Sequence, residues 1–93
     1  MTDIQAARCR KLFAAVLLAQ LDEFNGRYNK QKRLARGKPE AVAVEARRYL
    51  SGSSARYLAA LAGIDIDLDR AIKAVMLSRD EYKRLTIKDE RHA

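Results

Sequence analysis

Eight apolar residues recur at helical spacing through the first third of the chain: Cys9, Leu12, Phe13, Val16, Leu17, Leu21, Phe24 and Tyr28. Steps of three and four hold such residues on one side of an α-helix, whereas a strand would require strict alternation. Thr2 followed three positions later by Gln5 supplies a capping-box start for that helix. Its clear part runs from Asp3 to about Phe24. Asn25 and Gly26 then either stop it or are carried inside a longer helix that continues into the segment beyond.

A chain of 93 residues is one domain's worth, and a domain of that size hides little more than half of its unfolded surface. Apolar residues make up 48% of it, but many are alanine, and Phe13 and Phe24 stand beside four tyrosines and no tryptophan. The expected core is therefore thin and helical. Pro39 suits the first turn of a second helix, with Glu40 at its positive end and Val42, Ala46, Tyr49 and Leu50 on its inner stripe. That helix is expected to end near Leu50. Ser51-Gly52-Ser53-Ser54 reads as a tight turn in which either serine caps a third helix, carrying Leu58, Leu61 and Ala62 inward and stopping at Gly63. Asp65, Asp67 and Asp69 crowd the start of a fourth helix, where carboxylates favour the dipole, with Leu68, Ile72, Val75 and Met76 on its buried face. Ser78 with Glu81 repeats the capping-box pattern before a last short helix through Tyr82 and Leu85. The fold expected is all-α: a compact bundle of four to five helices with a long N-terminal helix and a helix-turn-helix-like unit. One helical domain over residues 1–87 is expected, followed by a charged, fraying tail over residues 88–93. Phe13, Leu17, Tyr49, Leu58, Leu61 and Ile72 are expected to be buried together.

Net charge is +7, and its distribution matters more than its size. Residues 24–39 hold Arg27, Lys30, Lys32, Arg33, Arg36 and Lys38 with no acid, which accounts for +6 of that total. Clustered cations of this kind are the electrostatic footprint of phosphate binding, although a solvated basic linker has the same composition. A second candidate lies at the Gly52 turn, because two short helices joined by a glycine-containing turn build a helix-turn-helix. Ser53, Ser54, Arg56 and Tyr57 would stand exposed at the start of its second helix, with Arg47 and Arg48 just before the turn. Serines and arginines there can take phosphate oxygens or base edges, and a helix N-terminus attracts phosphate. Arg48 occupies a place where a small residue usually lets the two helices cross closely. A further corner at Leu61-Ala62-Gly63-Ile64 has a repressor-like cadence, but the three aspartates that follow would repel phosphate and suit a basic protein surface instead.

Catalysis requires a convergent nucleophile, base and charge stabiliser, and the chain offers one histidine, His92, and one cysteine, Cys9, with no plausible partners. Cys9 falls on the apolar stripe and reads as a structural thiol, and His92 as an exposed tail residue. Asp65, Asp67 and Asp69 lack the glycine and distal glutamate of an EF-hand, so capping explains them better than calcium. No glycine-rich phosphate loop is present. No enzyme activity, metal or cofactor is expected. A single cysteine, no secretory pattern and no long apolar run point to a cytoplasmic protein that does not cross a membrane.

The segments Arg10-Lys-Leu-Phe-Ala-Ala-Val-Leu-Leu-Ala, Ala46-Arg-Arg-Tyr-Leu-Ser-Gly-Ser and Leu61-Ala-Gly-Ile-Asp occur in that order. In these the chain resembles small phage and prophage-like proteins of alphaproteobacteria over roughly residues 8–70. Those proteins carry a long first helix, an arginine-containing helix ending in a small-residue turn, and an Ala-Gly-Ile-Asp corner usually followed by proline. Ile66 stands where that proline is expected. Related segments are similar to regulators of phage-like gene clusters, including activators of gene transfer agents, which implies transcription control through DNA or RNA polymerase. Together with the charge this gives a DNA-binding regulator, with double-stranded DNA as partner. Two alternatives stay open: an adaptor that binds a protein such as RNA polymerase or a phage protein through the Asp65–Asp69 corner and the exposed part of the first helix, and a small phage packaging or structural subunit. The latter would need a homodimer through the first helix, whose stripe of Phe13, Leu17, Leu21 and Phe24 is wide enough for a core and a dimer seam.

Overall fold

The computed structural model describes residues 2–91, with side chains described for residues 2–85. The chain forms five helices: α1 (Asp3–Arg33), α2 (Pro39–Ser51), α3 (Ser53–Ala62), α4 (Leu68–Val75) and α5 (Arg79–Arg91). No strand occurs among the described residues. The expected frayed tail from Lys88 onward lies outside the described side chains, and His92 lies outside the described residues.

Thr2 caps α1 reciprocally: its Oγ1 accepts from the Gln5 N–H at 3.2 Å while Gln5 Oε1 accepts from the Thr2 N–H at 3.1 Å. At about 1.5 Å per residue, the 31 residues of α1 reach about 46 Å, most of the 52 Å long axis of the molecule. The other helices form a compact bundle on this rod. α2 returns antiparallel to it, placing Tyr49 against Phe24 with ring centroids 5.8 Å apart and Glu45 against Arg27. α3 continues along the N-terminal half until Gly63 lies near Arg10. α4 then runs back beside α2, and α5 packs on α1.

Gly26 does not stop α1. Asn25 is wholly buried, at 0% exposure, and its Nδ2 donates to the carbonyls of Ala74 at 3.3 Å, Val75 at 2.9 Å and Leu77 at 2.8 Å. Ala74 and Val75 end α4, where the last carbonyls of a helix have no partner within it, and Leu77 lies in the turn that follows. Asn29, one turn on, donates to the Leu77 carbonyl at 2.9 Å as well. Arg79 closes the cluster by donating to Asn25 Oδ1 at 2.8 Å and pairing with Asp22 at 3.3 Å. Residues that read locally as a helix stop are thus held inside α1 by tertiary hydrogen bonds.

Leu17, Phe24 and Tyr28 of α1 meet Val42, Ala46 and Leu50 of α2, Ala55 and Ala59 of α3, and Ile72 and Val75 of α4. Several expectations about burial need correction. Leu61 is 37% exposed rather than core, because α3 turns Ala55 and Ala59 inward, and small residues let two helices approach closely. Leu58, Tyr49 and Phe13 are half-buried. Met76 is exposed, since α4 ends at Val75 and the chain turns away there. Leu12 and Val16 also face outward, and Cys9 is half-buried. Neither serine caps α3: Gly52 is its N-cap, while Ser51 stays in α2 with its Oγ donating to the carbonyls of Arg47 and Arg48. The helix-turn-helix-like unit is therefore joined by one extended residue instead of a longer turn.

The other punctuation follows local rules. Gly63 ends α3 at φ 70°, a left-handed conformation that favours glycine, and the Ile64 N–H bonds back to the Ala59 carbonyl at 2.9 Å. Asp67 caps α4 by accepting from the Arg70 N–H at 3.2 Å. Ser78 does the same for α5, accepting from the Glu81 N–H at 3.2 Å while its hydroxyl donates to the Glu81 carboxylate.

Candidate nucleic-acid interface

The basic segment forms one end of the molecule. Lys30, Lys32 and Arg33 occupy the last turn of α1, where cations also offset the partial negative charge of a helix C-terminus. At about 100° per residue they point to different sides, so they make a charged cap rather than a stripe. Arg36 and Lys38 follow in the corner to α2, which is held by the Lys38 N–H donating to Gln31 Oε1 at 3.1 Å and the Gly37 N–H donating to the Leu34 carbonyl at 3.1 Å. A Cβ on Gly37 would collide with the backbone of Gln31, so this corner requires glycine for space.

The six cations of the segment are not equivalent. Arg27 makes a two-pronged bond with the Glu45 carboxylate, its shorter arm 2.6 Å, and lies over the Phe24 ring. That hydrogen bond raises the pKa of Arg27 and lowers that of Glu45, so both stay charged. Arg27 thereby ties α1 to α2. Lys32 sits over the Tyr28 ring at 5.7 Å. Lys30, Arg33, Arg36 and Lys38 are exposed and have no acidic partner among the described residues.

The second group surrounds Gly52. Arg47 is bound to Asp69 at 3.1 Å and ties α2 to α4, whereas Arg48 and Arg56 are exposed without an ion pair to a described residue. Ser53 and Ser54 are exposed at the start of α3, where no side chain caps the helix. The two groups stand at opposite ends of α2, whose 13 residues put them about 20 Å apart at ~1.5 Å per residue.

Of the three aspartates, Asp67 is spent on capping and Asp69 on Arg47. Among the described residues no group of His, Cys, Asp and Glu is arranged to hold a metal ion, and no helix is long and apolar enough to cross a membrane. An open groove of about 440 Å³ includes Asp65 and Asp67 in its lining, together with Leu18, Leu21, Leu50, Leu85 and Arg70. The α1 stripe assigned to a dimer seam is taken by the core: Leu17 and Phe24 are buried, Phe13 and Leu21 half-buried.

The cluster of Asn25, Asn29 and Arg79 was not foreseeable as a site from local pattern. Its one sequence trace is a pair of asparagines four apart, inside a segment that would otherwise be a helix. No family model, curated protein or solved structure matches the chain.

Proposed function

We propose that the protein is a non-enzymatic, DNA-binding transcription regulator of a phage-like gene cluster, as its resemblance to activators of gene transfer agents implies. The observation that carries this reading is the basic end of the molecule, where Lys30, Lys32, Arg33, Arg36 and Lys38 project around one corner with no acidic partner among the described residues. Such charges bind the phosphate backbone by releasing its counterions. Arg48, Ser53, Ser54 and Arg56 form the second contact and orient α3 toward the duplex. At 3.4 Å per base pair, the ~20 Å between the two groups matches about six base pairs, so a duplex lying along α2 can meet both.

Fluorescence anisotropy with duplex DNA over a range of salt concentrations tests the reading. Each engaged cation adds about 0.9 to the slope of log affinity against log salt, so a slope of about 6 is expected with both groups engaged. Changing Lys32, Arg33 and Arg36 together to Ala should flatten it by about 2 to 3. Arg27→Ala should leave it nearly unchanged, because Arg27 is already neutralised by Glu45. Absence of duplex binding near ~50 mM salt, where this electrostatic attraction is strong, rules the reading out. The adaptor reading then takes its place, favoured by the apolar groove beside Asp65 and Asp67, with RNA polymerase or a phage protein as partner.

A further inference from the structure

The face of α1 opposite the core is unusually apolar for solvent. Leu17, Leu21, Phe24 and Tyr28 mark the buried side. About 200° round the helix from Leu17 lies a line of exposed residues: Arg8, Leu12, Ala15, Ala19 and Glu23, with Val16 on its flank. Leu12 is 63% exposed and Val16 40%. Steps of four, three, four and four give this line the seam spacing of a helix pair. The two alanines at its centre leave room for another helix to come close.

The charges choose the occupant. Arg8 and Glu23 bracket the apolar part, one at each end, and neither forms an ion pair with a described residue. Two copies of α1 laid antiparallel about a twofold axis between Ala15 and Val16 bring Arg8 opposite the partner's Glu23, Leu12 opposite the partner's Ala19 and Ala15 opposite the partner's Val16. The twofold repeats the Arg8–Glu23 pairing at the other end. A parallel pair would set Arg8 against Arg8 and Glu23 against Glu23. The same face is thus complementary to itself in one orientation and repulsive in the other.

We propose that the protein self-associates as an antiparallel dimer through the outer face of α1, with Arg8–Glu23 ion pairs fixing the register. This does not rest on the DNA reading, and its test needs no DNA. From Arg8 to Glu23 the seam is only about 22 Å long at ~1.5 Å per residue. The dimer is therefore a weak one that forms with rising concentration. Sedimentation equilibrium of the full chain up to about 1 mM, the affinity range of a short contact, should show the mass moving toward twice that of the monomer. Arg8→Glu or Glu23→Arg alone puts two like-charge contacts into the interface and should weaken dimerisation by about tenfold. The double exchange, Arg8→Glu with Glu23→Arg, should restore it. Leu12→Asp should abolish it, and circular dichroism on each variant checks that the helices remain. A monomer at every concentration overturns the proposal. So does a dimer indifferent to the single reversals, or one that the double exchange fails to rescue.

Discussion

Asn25 has no apolar role and no exposure, yet it sits at the centre of the structure. Its amide carries two hydrogens and faces three carbonyl oxygens, while its own oxygen is taken by Arg79. Without this side chain the Val75 carbonyl loses its donor, whereas the Ala74 carbonyl keeps the Leu77 N–H, the Leu77 carbonyl keeps Asn29 and Arg79 keeps Asp22. Asn25→Ala should cost about 1 to 3 kcal/mol, the usual penalty for a buried acceptor such as the Val75 carbonyl left without its donor. A small domain has only about 5 to 15 kcal/mol in total. Urea unfolding followed by circular dichroism measures the loss. A change within error would mean that water enters and replaces the amide.

Among the helices, α3 shows most clearly how size and position trade places. Reading its largest side chains as its inner face puts Leu61 in the core, whereas the buried positions are Ala55 and Ala59. A helix that must lie close along a longer one presents its smallest residues to it. Two substitutions separate these views. Leu61→Ala should cost well under the ~2 to 5 kcal/mol of a buried leucine. Ala59→Leu should destabilise by about 1 to 3 kcal/mol through overpacking against α1. Thermal melts of the two variants should therefore rank in the order opposite to the one that residue size suggests. A larger drop for Leu61→Ala would return α3 to the orientation expected from sequence.

For the whole molecule, the consequential feature is the length of α1. It carries the core on one side and a self-complementary line on the other, and its last turn belongs to the basic end. α2 then holds the two basic groups about 20 Å apart, too far for their side chains to touch one another or the same phosphate. If both touch one duplex, their contributions to binding should add, as they do for sites more than ~7 to 10 Å apart. Combining the Lys32, Arg33 and Arg36 changes with Arg56→Ala should lower log affinity by the sum of the separate losses. Parallel measurement on two unrelated duplexes adds the distinction between roles. Loss of the basic end should weaken both alike, and Arg56→Ala should weaken one preferentially if α3 reads bases. Equal loss on both duplexes would reduce Arg56 to a backbone contact.

What the sequence by itself determined was local. The Thr2–Gln5 cap, the Pro39 start of α2, the Gly63 stop, the Asp67 cap and the Ser78 start of α5 each depend on residues within four or five positions of one another. The inner stripe of α2 was legible for the same reason, and so was the placement of the basic segment, since charge can be counted along a chain. Tertiary structure decided the rest. α1 passes through Gly26 because the partners of Asn25 lie 49 to 52 residues away. Arg27 and Arg47 are withdrawn from the candidate interface by acids 18 and 22 residues distant. A side chain's local spacing states which face of its helix it occupies, but whether that face meets a helix, a carboxylate or water is fixed only when distant segments pack against it.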